Sequence, residues 1–107
     1  MRRVEVSDQV RKFVREQAPE SRKRLRLGIR RLEAEKGDIC ALEGPLKGYH
    51  RLRVGAFRIV FAYATSAEGV GIRCIFAERR DVVYGVFADI LKAKLLKEQP
   101  SSPRGKS

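Results

Sequence analysis

A chain of 107 residues has room for one domain around one hydrophobic core, and 43% apolar residues exclude wholesale disorder. Lysine and arginine number 24 against 13 acidic residues, a formal charge of +11; this points to a polyanionic partner, nucleic acid first, an acidic protein second and an anionic membrane surface third. Two cysteines, Cys40 and Cys74, stand at no metal-ligand spacing, and His50 is the sole histidine, which argues against a disulfide scaffold, a metal centre and a two-histidine catalytic pair within one chain.

Met1-Arg2-Arg3 runs into alternating Val4-Glu5-Val6, an expected first strand rather than an apolar leader. Ser7 can cap a helix whose core face is Val10, Phe13 and Val14, spaced i, i+3, i+4. Pro19 and Glu20 suit the first turn of a second helix. Its apolar stripe is Leu25, Ile29 and Leu32, its other faces are crowded with arginine and lysine, and Gly37 is its expected stop. Residues 38–48 contain two glycines and Pro45 and read as a loop.

Three strand-like segments follow, Tyr49–Val54, Phe57–Thr65 and Val70–Glu78, the first two joined by Gly55-Ala56 as a two-residue type II′ turn. After Tyr84, Phe87, Ile90, Leu91, Lys94 and Leu95 suggest a last helix with one apolar side. A domain over residues 1–98 is expected, with the polar 99–107 as a disordered tail. No apolar run approaches the roughly 20 residues of a membrane span, and the expected location is cytoplasmic.

The tight turn sets the strand register, and register sets which side chains share a face. Val54 then pairs with Phe57, Arg53 with Arg58, Leu52 with Ile59 and Arg51 with Val60. Leu52, Val54, Phe57, Ile59 and Phe61 would face the core, with Arg51, Arg53 and Arg58 on the opposite side. Carrying the same alternation into the last strand puts Val70, Ile72, Cys74 and Phe76 on the core face. Arg73 and, if the strand extends, Arg79 then join Arg58. Two arginines directly opposite each other normally destabilise a sheet; the pair makes sense if an anion belongs there. His50 has core parity beside Phe61 and reads as structural. Tyr63 also has core parity, and Tyr49 lies at a strand end, so neither is a firm base-stacking residue.

The segments LEGPLKGYHRLRVGAFRIVFAY and CIFAERRDVVYGVF, in this order of elements, resemble the RelE/ParE toxin superfamily. The resemblance runs from about Val4 to Leu96 and rests on Gly55-Ala56-Phe57-Arg58 and the later Arg79 to Tyr84 run together. It implies an α+β fold of order β-α-α-β-β-β-α, with a mostly antiparallel four-stranded sheet and the helices on one face. RelE-type members are toxins of type II toxin–antitoxin systems. They are ribosome-dependent endoribonucleases that cleave mRNA and inhibit translation, silenced by a cognate antitoxin, with no small-molecule cofactor or metal. The family's paired basic residues match Arg51 and Arg53, its phosphate-gripping arginine Arg58, a second arginine Arg79 (or Arg80), and its functional tyrosine Tyr84. Arg73 and Arg80 would add RNA contacts.

The implied chemistry is attack of a ribose 2′-hydroxyl on the adjacent phosphate, which needs a proton acceptor, cations around phosphorus and help for the leaving 5′-oxygen. Arg53 and Arg58 would stabilise the extra negative charge, and Arg79 would neutralise or protonate the leaving group. Better-known relatives often carry lysines where this chain has Arg51 and Arg53. Arginine does not give up its proton, so Tyr84 or Glu78 would have to act as base. The alternatives on the same fold are a ParE-like inhibitor of DNA gyrase and a catalytically inactive protein that binds only RNA or its antitoxin.

Overall fold

In the computed structural model, which describes residues 2–79 together with Asp89 and Ala93, five strands form one sheet in the order β1-β5-β4-β3-β2. The strands are β1 (Val4–Val6), β2 (Asp38–Ala41), β3 (His50–Val54), β4 (Phe57–Ser66) and β5 (Gly69–Arg79). All neighbours are antiparallel except β1, which runs parallel to β5. A parallel pair needs a long crossover, here supplied partly by helices α1 (Asp8–Arg15) and α2 (Pro19–Arg31). The fold class is the α+β arrangement expected, with one strand more than the four anticipated.

The local signals explain the helices. The Ser7 hydroxyl accepts from the Val10 N–H and donates to the Ile75 carbonyl, capping α1 and tying it to β5. Pro19 opens α2, where its missing N–H is no loss. Both helices lie on one face of the sheet. Val10, Val14, Leu25 and Leu32 there meet Leu52, Phe57, Ile59, Phe61, Ile72 and Cys74 in one buried cluster. Burial of that apolar area is the main force holding the layers together.

Helix α2 ends earlier than Gly37 suggested. A short 3-10 turn, Leu32–Ala34, follows it, and Glu35 takes the left-handed backbone at φ 55°. Glu35 tolerates that position while its N–H donates to the Leu32 carbonyl and its carboxylate accepts from Arg2 Nε (3.0 Å) and Tyr63 OH (3.1 Å).

The segment read as a loop from Asp38 contains β2, an edge strand paired only with β3. Its pattern is weak because just one residue, Ile39, turns toward the core; the other three are exposed. A second 3-10 turn, Gly44–Leu46, and Leu42 and Tyr49 then fold over the other face of the sheet, where Leu46, Val60, Ile75 and Phe76 make a smaller apolar cluster.

The β3–β4 register is the one the turn predicted: Val54↔Phe57, Arg53↔Arg58, Leu52↔Ile59, Arg51↔Val60. Gly55 has φ 57°, and Ala56 does not share a positive φ, as a type II′ turn requires. The β4–β5 register runs from Ser66↔Gly69 and Thr65↔Val70 in the phase that the alternation implies, then slips: Phe61 pairs with Cys74 but Val60 with Phe76. This bulge inserts one residue into β5 and reverses the alternation beyond it. Phe76 therefore leaves the main core for the smaller cluster, Ala77 takes the core position, and Arg79 comes opposite Phe57. The expectations that Phe76 faces the helices and that Arg79 shares a face with Arg58 are thereby corrected.

The helix expected after Tyr84 falls largely outside the described residues, although Asp89 and Ala93 are helical and exposed. The tail, 99–107, lies wholly outside them. Among the described residues no helix is long and apolar enough to cross a membrane.

Candidate nucleic-acid interface

Opposite the helices, four strands bring four charged residues into one row. Asp38 on β2 pairs with Arg53 on β3, Arg53 with Arg58 on β4, and Arg58 with Glu78 on β5. Register neighbours stand about 4.5–5.5 Å apart at Cα, so the row reads minus, plus, plus, minus within four strand widths. The next row on the same face is Cys40, Arg51, Val60 and Phe76. Arg51 thus stands diagonally beside Arg58 and two residues along from Arg53.

The acidic neighbour was not visible before β2 was known. Asp38 Oδ2 lies 3.0 Å from Arg53 Nε, and Oδ1 lies 3.5 Å from an Arg51 Nη. The Arg51 side chain is only 16% exposed, and its Nε is out of solvent with no hydrogen-bond acceptor among the described residues. A buried guanidinium N–H without an acceptor is costly, and a phosphate oxygen is a matched acceptor for it.

The other sequence-predicted residues divide. Arg73 lies on the same face but opposite Ala62, four residues along β4 from Arg58 and so roughly 13 Å away, with Glu5 of β1 as its other neighbour. Arg79 is exposed at the end of β5, on the helix side by parity. Glu78 lies in the charged row, and its carboxylate accepts from the Arg79 backbone N–H at 2.8 Å. Arg80 and Tyr84 lie outside the described residues.

The aromatic residues of the sheet have structural partners. His50 stacks on Phe61 at 5.4 Å, and Tyr63 meets both edge-on. The Arg2 guanidinium, with the Tyr63 hydroxyl, holds the Glu35 carboxyl below the usual carboxylate range. Burial, and then Glu35, pushes Tyr63 up. Tyr49 packs on the smaller apolar cluster. Burial pushes the Cys74 thiol up to about 12; Cys40 is exposed beside Arg51. Among the described residues no group of His, Cys, Asp and Glu is placed to hold a metal ion.

No family model and no curated protein matches the sequence; the likeness is structural. The toxin–antitoxin complex RelBE2 from Mycobacterium tuberculosis contains a chain that superposes with TM-score 0.62 at 16% identity, covering 74% of this chain and 98% of that one. A RelE–RelB complex from Pyrococcus horikoshii matches with TM-score 0.58 at 24% identity, over 77% of this chain and 98% of its own. A RelB–RelE antitoxin–toxin complex from Methanococcus jannaschii matches with TM-score 0.58 at 23% identity, over 78% and 98%. The chain has a RelE-like toxin fold.

Proposed function

We propose that this RelE-fold chain is the toxin of a type II toxin–antitoxin pair and inhibits translation by cutting mRNA on the ribosome. The observation that carries the reading is the convergence of Arg51, Arg53 and Arg58 on the sheet face away from the helices. A domain of charge +11 gains nothing in stability from opposing two arginines. A phosphodiester between them removes that cost and meets three guanidinium forks. In the reaction, the ribose 2′-oxygen attacks the adjacent phosphorus, a cyclic phosphate forms and the 5′-oxygen leaves. Arg53 and Arg58 stabilise the charge that builds on the phosphoryl oxygens. Tyr84 or Glu78 takes the 2′-proton, and Arg80, the alternative to an Arg79 that falls on the helix side of the sheet, attends the leaving oxygen. Glu78, the neighbour of Arg58 in the row, is the carboxylate best placed for the first task.

The proposed partners are mRNA in the ribosome and a cognate antitoxin, in the cytoplasm. The three structural neighbours named above are toxin–antitoxin complexes, and the positive charge suits an acidic partner chain. The gyrase-directed alternative, a toxin that binds a protein, needs no such arginine cluster.

The test is primer extension on a translating mRNA, wild type beside Arg58→Ala. Discrete new 5′ ends within ribosome-bound codons, lost in the variant, are expected. Intact mRNA despite growth arrest would overturn the nuclease reading in favour of a gyrase-directed or binding-only protein.

A further inference from the structure

We infer that Asp38 is a built-in competitor of the RNA phosphate, a carboxylate that occupies the Arg51–Arg53 site in the free protein and lowers its affinity for RNA. The inference rests on the RNA-binding reading above and adds a residue that the arginine pattern did not contain.

Three observations carry it. First, Asp38 reaches both arginines at once, with Oδ2 at 3.0 Å from Arg53 and Oδ1 at 3.5 Å from Arg51. A carboxylate spanning two guanidinium groups has the charge and the oxygen spacing that a phosphodiester would present there. Second, the hold is loose. The contact to Arg51 is 3.5 Å long, the Asp38 side chain is 47% exposed, and it projects from a four-residue edge strand. An exposed ion pair of this kind contributes little and is readily exchanged for a better-matched anion. Third, Asp38 leaves the site incomplete, because the Arg51 Nε remains out of solvent without an acceptor among the described residues. A carboxylate serving only the folded state would be expected to satisfy that donor.

The position on β2 gives the effect a direction. Asp38 opposes Arg53 on the side away from Arg58, so it offsets the repulsion of the arginine pair in the free protein. When a phosphate enters, it takes over that role, and the carboxylate becomes a repulsive neighbour. Asp38 therefore favours the folded free chain and opposes the bound state. Its removal should move stability and RNA affinity in opposite directions, which an ordinary structural ion pair would not do.

The experiment measures binding of a short single-stranded 2′-O-methyl RNA, which lacks the attacking hydroxyl, to the full-length chain over a range of salt concentrations. Wild type is compared with Asp38→Asn, Asp38→Glu and Arg53→Ala, with urea denaturation of each. Asp38→Asn is expected to bind roughly two- to fivefold tighter, the scale of one exposed ion pair. Its log–log salt dependence should steepen, by at most about 0.7, because the bound phosphate no longer faces an opposing carboxylate, while its urea midpoint falls. Asp38→Glu should stay close to wild type, and Arg53→Ala should bind more weakly. If Arg53→Ala weakens binding and Asp38→Asn does not tighten it, the competitor role is wrong and the RNA site stands. If neither variant changes affinity, the arginine face is not an RNA site and both readings fall. Should Asp38→Asn fail to fold, Asp38→Ser takes its place with the same expected sign.

Discussion

The side-chain amide of Gln9 pairs with the backbone of Ala77 at both ends, its Nε2 donating to the Ala77 carbonyl at 2.9 Å and its Oε1 accepting from the Ala77 N–H at 2.8 Å. Strand β1 stops at Val6, opposite Cys74, so the far half of β5 would otherwise present unpaired backbone groups. Gln9, on α1, continues the ladder with a side chain. This matters for the candidate site because Ala77 precedes Glu78 in the charged row. Gln9→Ala should cost about 1–3 kcal/mol through buried backbone groups left unsatisfied. Urea denaturation checks the loss, and faster hydrogen exchange at the Ala77 amide locates it.

Helix α2 approaches the sheet through a glycine. A Cβ at Gly28 would lie 2.7 Å from Cγ2 of Val54, a β-branched side chain with little freedom to move aside. Gly28→Ala should therefore destabilise by about 1–3 kcal/mol from overpacking, despite the roughly 1 kcal/mol that alanine gains over glycine inside a helix. The double substitution with Val54→Ala should recover part of the loss. A Gly28→Ala protein more stable than wild type would show that the helix shifts freely on β3.

The two thiols should differ sharply in reactivity. Cys40 is exposed and Cys74 is buried, its thiol pushed up to about 12 by desolvation. With a disulfide reagent at neutral pH, Cys40 should react promptly and Cys74 only on unfolding. The raised folded value also sets a sign for stability. Below the unfolded thiol's value of about 8.5 the contribution is complete. It declines above that as the unfolded thiol ionises and the folded one does not, and it is lost once the pH passes the folded value of about 12. Prompt reaction of both thiols in the native protein would mean that the β5 core opens readily.

Toxicity should depend on residues that the core does not need. Arg58→Ala and Tyr84→Phe are expected to abolish growth arrest with little loss of folding, the latter testing a residue that lies outside the described part of the structure. Expression-matched cultures and denaturation midpoints are the readouts. Full toxicity in both variants would remove the proposed site. RNA affinity of the wild type should also fall steeply with salt, through counterion release.

Much of the fold was legible because its signals are local. Ser7 and Pro19 mark helix starts by their own capping chemistry, and Gly55 permits the turn that sets β3 against β4. From that turn alone, alternation placed Arg51, Arg53 and Arg58 together on the face away from Leu52, Phe57 and Ile59. The helix stop was misplaced because hydrogen bonds from Arg2 and Tyr63, distant in sequence, support Glu35 in the left-handed region usually given to glycine.

The acidic half of the charged row was not legible. Asp38 belongs to an edge strand with a single core-facing residue, too weak a pattern to distinguish from a loop until β3 lies beside it. Glu78 and Arg79 exchanged faces because one extra residue is accommodated at the bulge opposite Val60 and Phe61. Composition, capping and a two-residue turn determined the basic charge, the helices and the arginine pair, since each is decided within a few neighbouring residues. Which acids flank that pair, and on which side Arg79 falls, only the tertiary structure decided. Those outcomes depend on pairing between strands remote in sequence, where one inserted residue reverses every side chain beyond it.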